Sequence, residues 1–233
     1  MESSWLPAKI EHTLLRPEAT SAQIEDLCRE ALQYNFVGIC VLPIWVARAA
    51  EFLKKSPVRV CTVVGFPLGG NTSRIKALET TQAIEDGADE VDMVINLGAL
   101  KSMEDDLVRE DIQTVVRTAR SFGAPEARGK TLVKVILETA LLNRAEIIRA
   151  CHLARDAGAD LVKTSTGFGP GGATVEAVRC MREAIGTDMG IKASGGIRTL
   201  EAALALLEAG ATRLGTSAGV ALVQEWRARR EAR

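Results

Sequence analysis

The chain has 233 residues, close to the roughly 250 typical of one β/α barrel and also compatible with a single doubly wound domain. Basic and acidic side chains number 29 and 30, and the resulting net charge of −1 argues against nucleic acid or an anionic membrane as a partner. With 47% hydrophobic and 25% charged residues the composition is that of an ordinary soluble globule, and no apolar run approaches the ~20 residues needed to span a bilayer.

The opening residues Met1 to His12 lack the basic-then-apolar pattern of a signal peptide, so a cytoplasmic protein is expected. From there, short β-type runs alternate with longer helical patterns. Strands are expected at Lys9–Leu14, Phe36–Leu42, Arg59–Gly65, Glu90–Asn96, Leu132–Glu138, Asp160–Ser165, Gly190–Ser194 and Thr212–Thr216. Apolar residues recur at i, i+3, i+4 in Ser21–Tyr34, Ser73–Asp86, Glu104–Ser121, Arg144–Ala157, Val175–Ile185 and Leu200–Ala209, the helical spacing. Gly87, Gly158 and Gly210 each close a helix directly before a strand. Eight strands with intervening helices imply parallel pairing and right-handed crossovers, hence a single (β/α)8 barrel domain spanning 1–233 with a short charged tail, a solvated helix end, at Arg227–Arg233.

Five cysteines are scattered, odd in number and without a CxxC pair, which suits reduced thiols rather than a disulfide framework. The two histidines, His12 and His152, are far apart and lack partners at ligand spacing, so no metal site is expected.

Strands of a parallel barrel are covered on both faces and should read as continuous Val, Ile and Leu. Four of them do not: Asp92 interrupts Val91 to Val94, Lys134 and Glu138 share one strand, and Lys163 and Lys192 each interrupt another. Such charges form buried ion pairs, reach water at strand ends, or build chemistry at the C-terminal mouth of the barrel. Four adjacent strands carrying them favour chemistry. A free lysine is protonated at neutral pH, but burial and a second cation favour the neutral amine, a usable nucleophile. Lys163 and Lys192 lie on consecutive strands, with Cα atoms about 5 Å apart if their registers match. Asp92 would balance the charge and pass protons. Together these groups suit Schiff-base formation on an aldehyde or ketone.

Three glycine-rich turns follow the last three strands: Thr166 to Gly172, Ser194 to Ile197, and Gly215 to Gly219. Glycines admit close approach of N–H groups to an oxyanion, and barrels commonly bind phosphate after strands 7 and 8. Gly167, Gly169 and Gly172 also satisfy G-x-G-x-x-G, but in the sixth unit, around Pro170 and without the acidic strand end of a dinucleotide site.

Six phrases, Glu11–Leu15 (EHTLL), Thr62–Gly69 (TVVGFPLG), Gly87–Val94 (GADEVDMV), Lys134–Thr139 (KVILET), Lys163–Phe168 (KTSTGF) and Lys192–Arg198 (KASGGIR), resemble the deoxyribose-phosphate aldolase family. The resemblance runs from about residue 9 to 220 and implies a metal-free, cofactor-free class I aldolase. Such an enzyme cleaves 2-deoxy-D-ribose 5-phosphate reversibly to glyceraldehyde 3-phosphate and acetaldehyde, in deoxyribose phosphate catabolism. Carried over by position, Lys163 forms the Schiff base, Lys192 lowers its pKa, and Asp92 exchanges protons with Lys192 through a water. Cleavage is expected between C3 and C4. Gly171, Gly172, Gly195, Gly196, Gly215 and Ser217 would cradle the phosphate, with Cys40, Lys134, Glu11 and Thr13 near the site. A homodimer is expected because relatives often pair. The chain departs from the family pattern in three places. Glu11 stands where Asp is usual, Ser217 is followed by Ala218 rather than a second serine, and Tyr34 is the only tyrosine, so none closes the C-terminus. Two alternatives stay open: another imine-forming phosphosugar enzyme, or a non-catalytic phosphosugar-binding barrel.

Overall fold

The computed structural model describes residues 4–122 and 130–232. Eight strands, β1 (Ile10–Leu14), β2 (Gly38–Val41), β3 (Arg59–Val64), β4 (Glu90–Val94), β5 (Leu132–Ile136), β6 (Leu161–Lys163), β7 (Gly190–Ser194) and β8 (Arg213–Thr216), pair in parallel and in sequence order to close a barrel. The outer ring is α1 (Ser21–Tyr34), α2 (Val46–Leu53), α3 (Ser73–Glu85), α4 (Leu97–Lys101), α5 (Asp105–Ser121), α6 (Arg144–Asp156), α7 (Val175–Ile185), α8 (Leu200–Glu208) and α9 (Gly219–Glu231).

The eight expected strands are present with ends trimmed by up to two residues. Two helices have no counterpart in the sequence expectations, α2 and α4. With eight and five residues they are too short to develop a periodic pattern. The expected glycine turns are left-handed, with φ of +101° at Gly87, +85° at Gly158 and +116° at Gly210. α9 runs from Gly219 to Glu231 and buries Trp226, so the charged tail is the outer end of a packed helix; Arg233 lies outside the described residues. No described helix is long and apolar enough to cross a membrane.

The barrel has two interiors of opposite character. Strand residues that point outward, among them Ile39, Val60, Val91, Met93, Val133, Val135, Val162, Ile191 and Leu214, join the helices in one continuous apolar core. Residues of opposite parity point into the lumen, and there Glu11, Glu90, Asp92, Lys134, Lys163 and Lys192 are all buried. Among the described residues, Leu15, Cys40, Cys61 and Val63 form an apolar cluster apart from the main core.

α3 is packed inside out. Its buried face carries Lys76 and Thr80, while Ile75 and Leu78 are exposed. The reason is a polar tie: Lys76 Nζ donates to the Val94 carbonyl at 2.9 Å and pairs with Asp111 Oδ2 on α5 at 2.5 Å, while Ser73 Oγ donates to Asp111 Oδ1 at 2.8 Å. This fixes α3, α5 and the end of β4 to one another, just beyond Asp92. A buried ion pair is weak evidence for net stability, but an orphaned partner is costly. Asp111→Ala is expected to cost about 3–5 kcal/mol in urea unfolding, and the double variant Lys76→Met/Asp111→Leu clearly less; equal losses in both would show that the pair is not what orders α3.

Candidate active site

Strand register sets which charges meet. Lys163 is the Cα partner of Lys192 across β6–β7, Asp92 of Lys134 across β4–β5, and Lys192 of Arg213 across β7–β8. Partners in register point to the same face, so all five side chains enter the lumen. There Asp92, fully buried, is the hub. Its Oδ2 accepts from Lys163 Nζ at 2.9 Å and Lys192 Nζ at 2.7 Å; its Oδ1 accepts from Lys134 Nζ at 2.7 Å and the Cys61 thiol at 3.2 Å. Glu90 pairs with Lys134 at 2.6 Å and with Arg213. Glu11 pairs with Lys192, with Arg213 at 3.3 Å and with Lys134 at 3.4 Å. The extra methylene of Glu11 is therefore accommodated: its carboxylate reaches three cations.

The charges do not balance. Lys134, Lys163, Lys192, Arg213 and the partly exposed Arg59, 3.4 Å from Glu90, face Glu11, Glu90 and Asp92, so potential cations outnumber carboxylates by five to three. Release of a proton from one amine reduces the excess. Burial alone would raise the pKa of Asp92, but Lys134 and then Lys163 hold it far below the usual carboxylate range. Burial likewise opposes charge on Lys134 and Lys163, yet Asp92 outweighs it and both are pushed up. Lys192 goes the other way: burial, then the Arg213 guanidinium, push it well down. Burial also raises the Cys61 thiol, which stays protonated and able to donate to Asp92. From the sequence, the lowered pKa is expected on Lys163; in the resting arrangement burial and then the Arg213 guanidinium lower Lys192, while Asp92 raises Lys163. The expected water between Asp92 and Lys192 is likewise replaced by a direct hydrogen bond.

Above the two lysines opens a cavity of about 800 Å³. Lys163 and Lys192 form its floor, and Thr13, Gly195, Gly196, Gly215 and Ser217 line it as the sequence analysis placed them. Among the described residues, the backbone N–H groups of Gly195, Gly196 and Ser217 meet no protein acceptor, which leaves donors for an anion. Gly171 and Gly172 do not line this cavity. They border a neighbouring one of about 280 Å³ with Ala140, Arg144 and Thr174, although Gly172 packs closely against the Gly195 backbone. Cys40, Lys134 and Glu11 lie beneath the floor; Cys40 packs with Leu15, Cys61 and Val63.

Several participants escaped the sequence analysis, among them Cys61 and Arg59. Arg213 and Glu90 sit at strand starts and carried the same signal as the other lumen charges, a charge in a parallel strand. Arg198 lines the cavity directly after the Gly195-Gly196 turn, and Thr166 and Phe168 form its opposite wall. Donor atoms of Glu11, Cys40, Cys61 and Asp92 lie within 4.8 Å of one another, a spacing also used by metal sites. Here the lysines already occupy both oxygens of Asp92, so ammonium groups supply the positive charge of this cluster.

Asp92→Asn removes the anion that holds Lys134 and Lys163 protonated, and is expected to cost about 3–5 kcal/mol at pH 7. In the variant the folded chain sheds protons that the unfolded chain keeps up to about pH 10.4. Stability then rises with pH, so the deficit against the parent should shrink between pH 7 and 10. Urea titrations across that range decide it; a constant or growing deficit contradicts the assigned electrostatics.

A family model described as DeoC/LacD family aldolase matches residues 9–225. The deoxyribose-phosphate aldolase of Enterococcus faecalis is 58% identical over 214 residues, 92% of this chain and 94% of that protein. The deoxyribose-phosphate aldolase of Streptococcus sanguinis is 60% identical over 215 residues, again 92% of this chain and 94% of that protein. Among solved structures, the tetrameric deoxyribose phosphate aldolase from Aeropyrum pernix has a TM-score of 0.88 at 33% identity and covers 97% of this chain and 92% of that one. With a closed parallel barrel, paired lysines in its lumen and relatives matched over nearly their full length, the chain belongs to the DeoC/LacD aldolase family and is a class I aldolase, a lyase.

Proposed function

We propose that this chain cleaves 2-deoxy-D-ribose 5-phosphate reversibly to glyceraldehyde 3-phosphate and acetaldehyde, with Lys163 as the imine-forming residue. One observation carries it: a single carboxylate oxygen, Asp92 Oδ2, accepts from both Lys163 and Lys192 inside a lumen where cations outnumber carboxylates. The proton on Lys163 passes along that oxygen to the neutral Lys192, against the resting order of their pKa values, and frees Lys163 without changing the total charge of the lumen.

The Lys163 amine then attacks C1 of the open-chain sugar, and loss of water gives an iminium. Asp92, backed by Lys192, takes the C3 hydroxyl proton. The C2–C3 bond breaks and its electrons flow into the iminium to give an enamine, while C3 becomes the aldehyde carbon of glyceraldehyde 3-phosphate. Protonation of the enamine at C2 and addition of water release acetaldehyde and regenerate Lys163. Carbon bookkeeping requires this bond; the C3–C4 cleavage expected from the sequence would release a three-carbon fragment in place of acetaldehyde. The iminium is the electron sink. The free N–H groups of Gly195, Gly196 and Ser217, the N-terminus of α8 and the Arg198 guanidinium support phosphate binding at the far end of the cavity. Five buried free thiols support a cytoplasmic location. The homodimer belongs to the same proposal, with Ile75 and Leu78 on α3 supplying an exposed apolar face.

Borohydride reduction in the presence of acetaldehyde should leave a two-carbon adduct on Lys163, located by peptide mass, and Lys163→Leu should abolish both adduct and turnover. An adduct on Lys192 instead would reverse the two roles. Its absence from every lysine would favour a binding protein. Lys192→Leu should slow turnover by about 100-fold or more. Because Arg213 pushes the Lys192 pKa down, Arg213→Met should let Lys192 keep its proton to higher pH and move the acid limb of the pH–rate profile upward; a limb that stays put removes Lys192 from the proton path.

A further inference from the structure

Outside the lumen network one more carboxylate is buried near the cavity. Glu138 follows β5, is 3% exposed, and adopts the left-handed backbone region, φ 55° and ψ 60°, which is strained for a side chain of its kind. Among the described residues no lysine or arginine pairs with it. Its partners are in the loop after β6: Oε2 accepts from the Thr166 N–H at 3.2 Å and from the Thr166 hydroxyl, whose oxygen in turn accepts from the Phe168 N–H at 3.0 Å. Oε1, also buried, has no partner and lies against Gly169, where an added Cβ would fall 2.8 Å from the carboxyl carbon. Only glycine lets the loop wrap this closely around the carboxylate.

The same loop forms one wall of the catalytic cavity through Thr166, Gly167 and Phe168, and its far end is tied to the phosphate side, with the Ala173 N–H donating to the Gly195 carbonyl at 3.0 Å. The geometry points to Glu138 as a positioning residue that sets substrate affinity: its carboxylate, acting through the Thr166 hydroxyl, fixes the wall against which the sugar phosphate rests. This role rests on the substrate proposed above. It is separate from the amine chemistry, since Glu138 touches none of the groups around Asp92. Strain at Glu138 is held by the charge-assisted bonds to Thr166, roughly twice as strong as neutral ones.

The test is steady-state kinetics of Glu138→Gln, Thr166→Val and the double variant with 2-deoxyribose 5-phosphate, alongside the rate of borohydride trapping with acetaldehyde. Acetaldehyde carries neither the phosphate nor the carbons that meet the wall, so its trapping should stay within about twofold of the parent. KM for the phosphosugar should rise about tenfold or more in each single variant, with kcat within about threefold. The double variant should be no worse than either single one, because both remove the same link. Unchanged KM, additive losses, or a fall in trapping and kcat at constant KM would overturn the assignment. Should Glu138→Gln fail to fold, Thr166→Val alone decides by the same KM criterion. If the parent itself does not turn over the phosphosugar, the proposed substrate fails; if the parent turns it over and the variants match its KM, only the role of Glu138 fails.

Discussion

Everything in this barrel is arranged around the ionic contacts of Asp92. Parallel barrels ordinarily fill their centre with layers of branched apolar side chains. Here the apolar layer lies outside the strands, and the lumen is filled by lysine, arginine and carboxylate groups whose desolvation is costly unless each is saturated. Asp92 therefore takes four donors from four different strands, and Glu11 and Glu90 share the remaining cations. Such an arrangement tolerates little change of register, because a one-residue slip would turn an ammonium out against the apolar faces of the helices.

The same saturation explains how a buried lysine becomes reactive. With more potential cations than anions around Asp92 and Glu90, an amine gives up its proton, and local fields decide which. Asp92 holds Lys163 in its charged form and Arg213 disfavours charge on Lys192, so the resting arrangement stores the proton on Lys163 beside a vacant acceptor. Exchange across a shared oxygen leaves the charge of the lumen constant, which keeps a low-dielectric interior from opposing it. An iminium on Lys163 later restores a cation next to Asp92, where the structure already stabilises one.

Two other buried charged groups, the Lys76–Asp111 pair and Glu138, do not join this network. Both fix elements that border it. Lys76 ties α3 and α5 to the end of β4, the strand that carries Asp92, and Glu138 holds the loop that continues from β6, the strand that carries Lys163. What separates them from the lysines of the lumen is balance: Lys76 has its own carboxylate, and Glu138 has its own donors.

The alternation of strands and helices, the barrel and the convergence of Asp92, Lys163 and Lys192 in its lumen were legible because charges in fully covered strands violate the apolar pattern that local sequence otherwise keeps. The same rule applied to Glu90 and Arg213, whose places at strand starts made them resemble ordinary solvated ends. Lys76 and Asp111 carried no signal at all, since a lysine or an aspartate on a helix is usually wet, and only the packing of α3 against α5 buries them. Which lysine has the lowered pKa could not be read along the chain. It depends on Arg213 and Asp92 converging from β8 and β4, a matter of distance across the lumen. In the same way, the loop after β6 looked like one glycine-rich cradle, but Gly169 packs against Glu138 and Gly171 and Gly172 border a second cavity. Sequence by itself determined the residues able to do the chemistry and the strands that hold them. Tertiary structure alone decided their partners and proton affinities, because those follow from fields and contacts between residues as many as 100 positions or more apart.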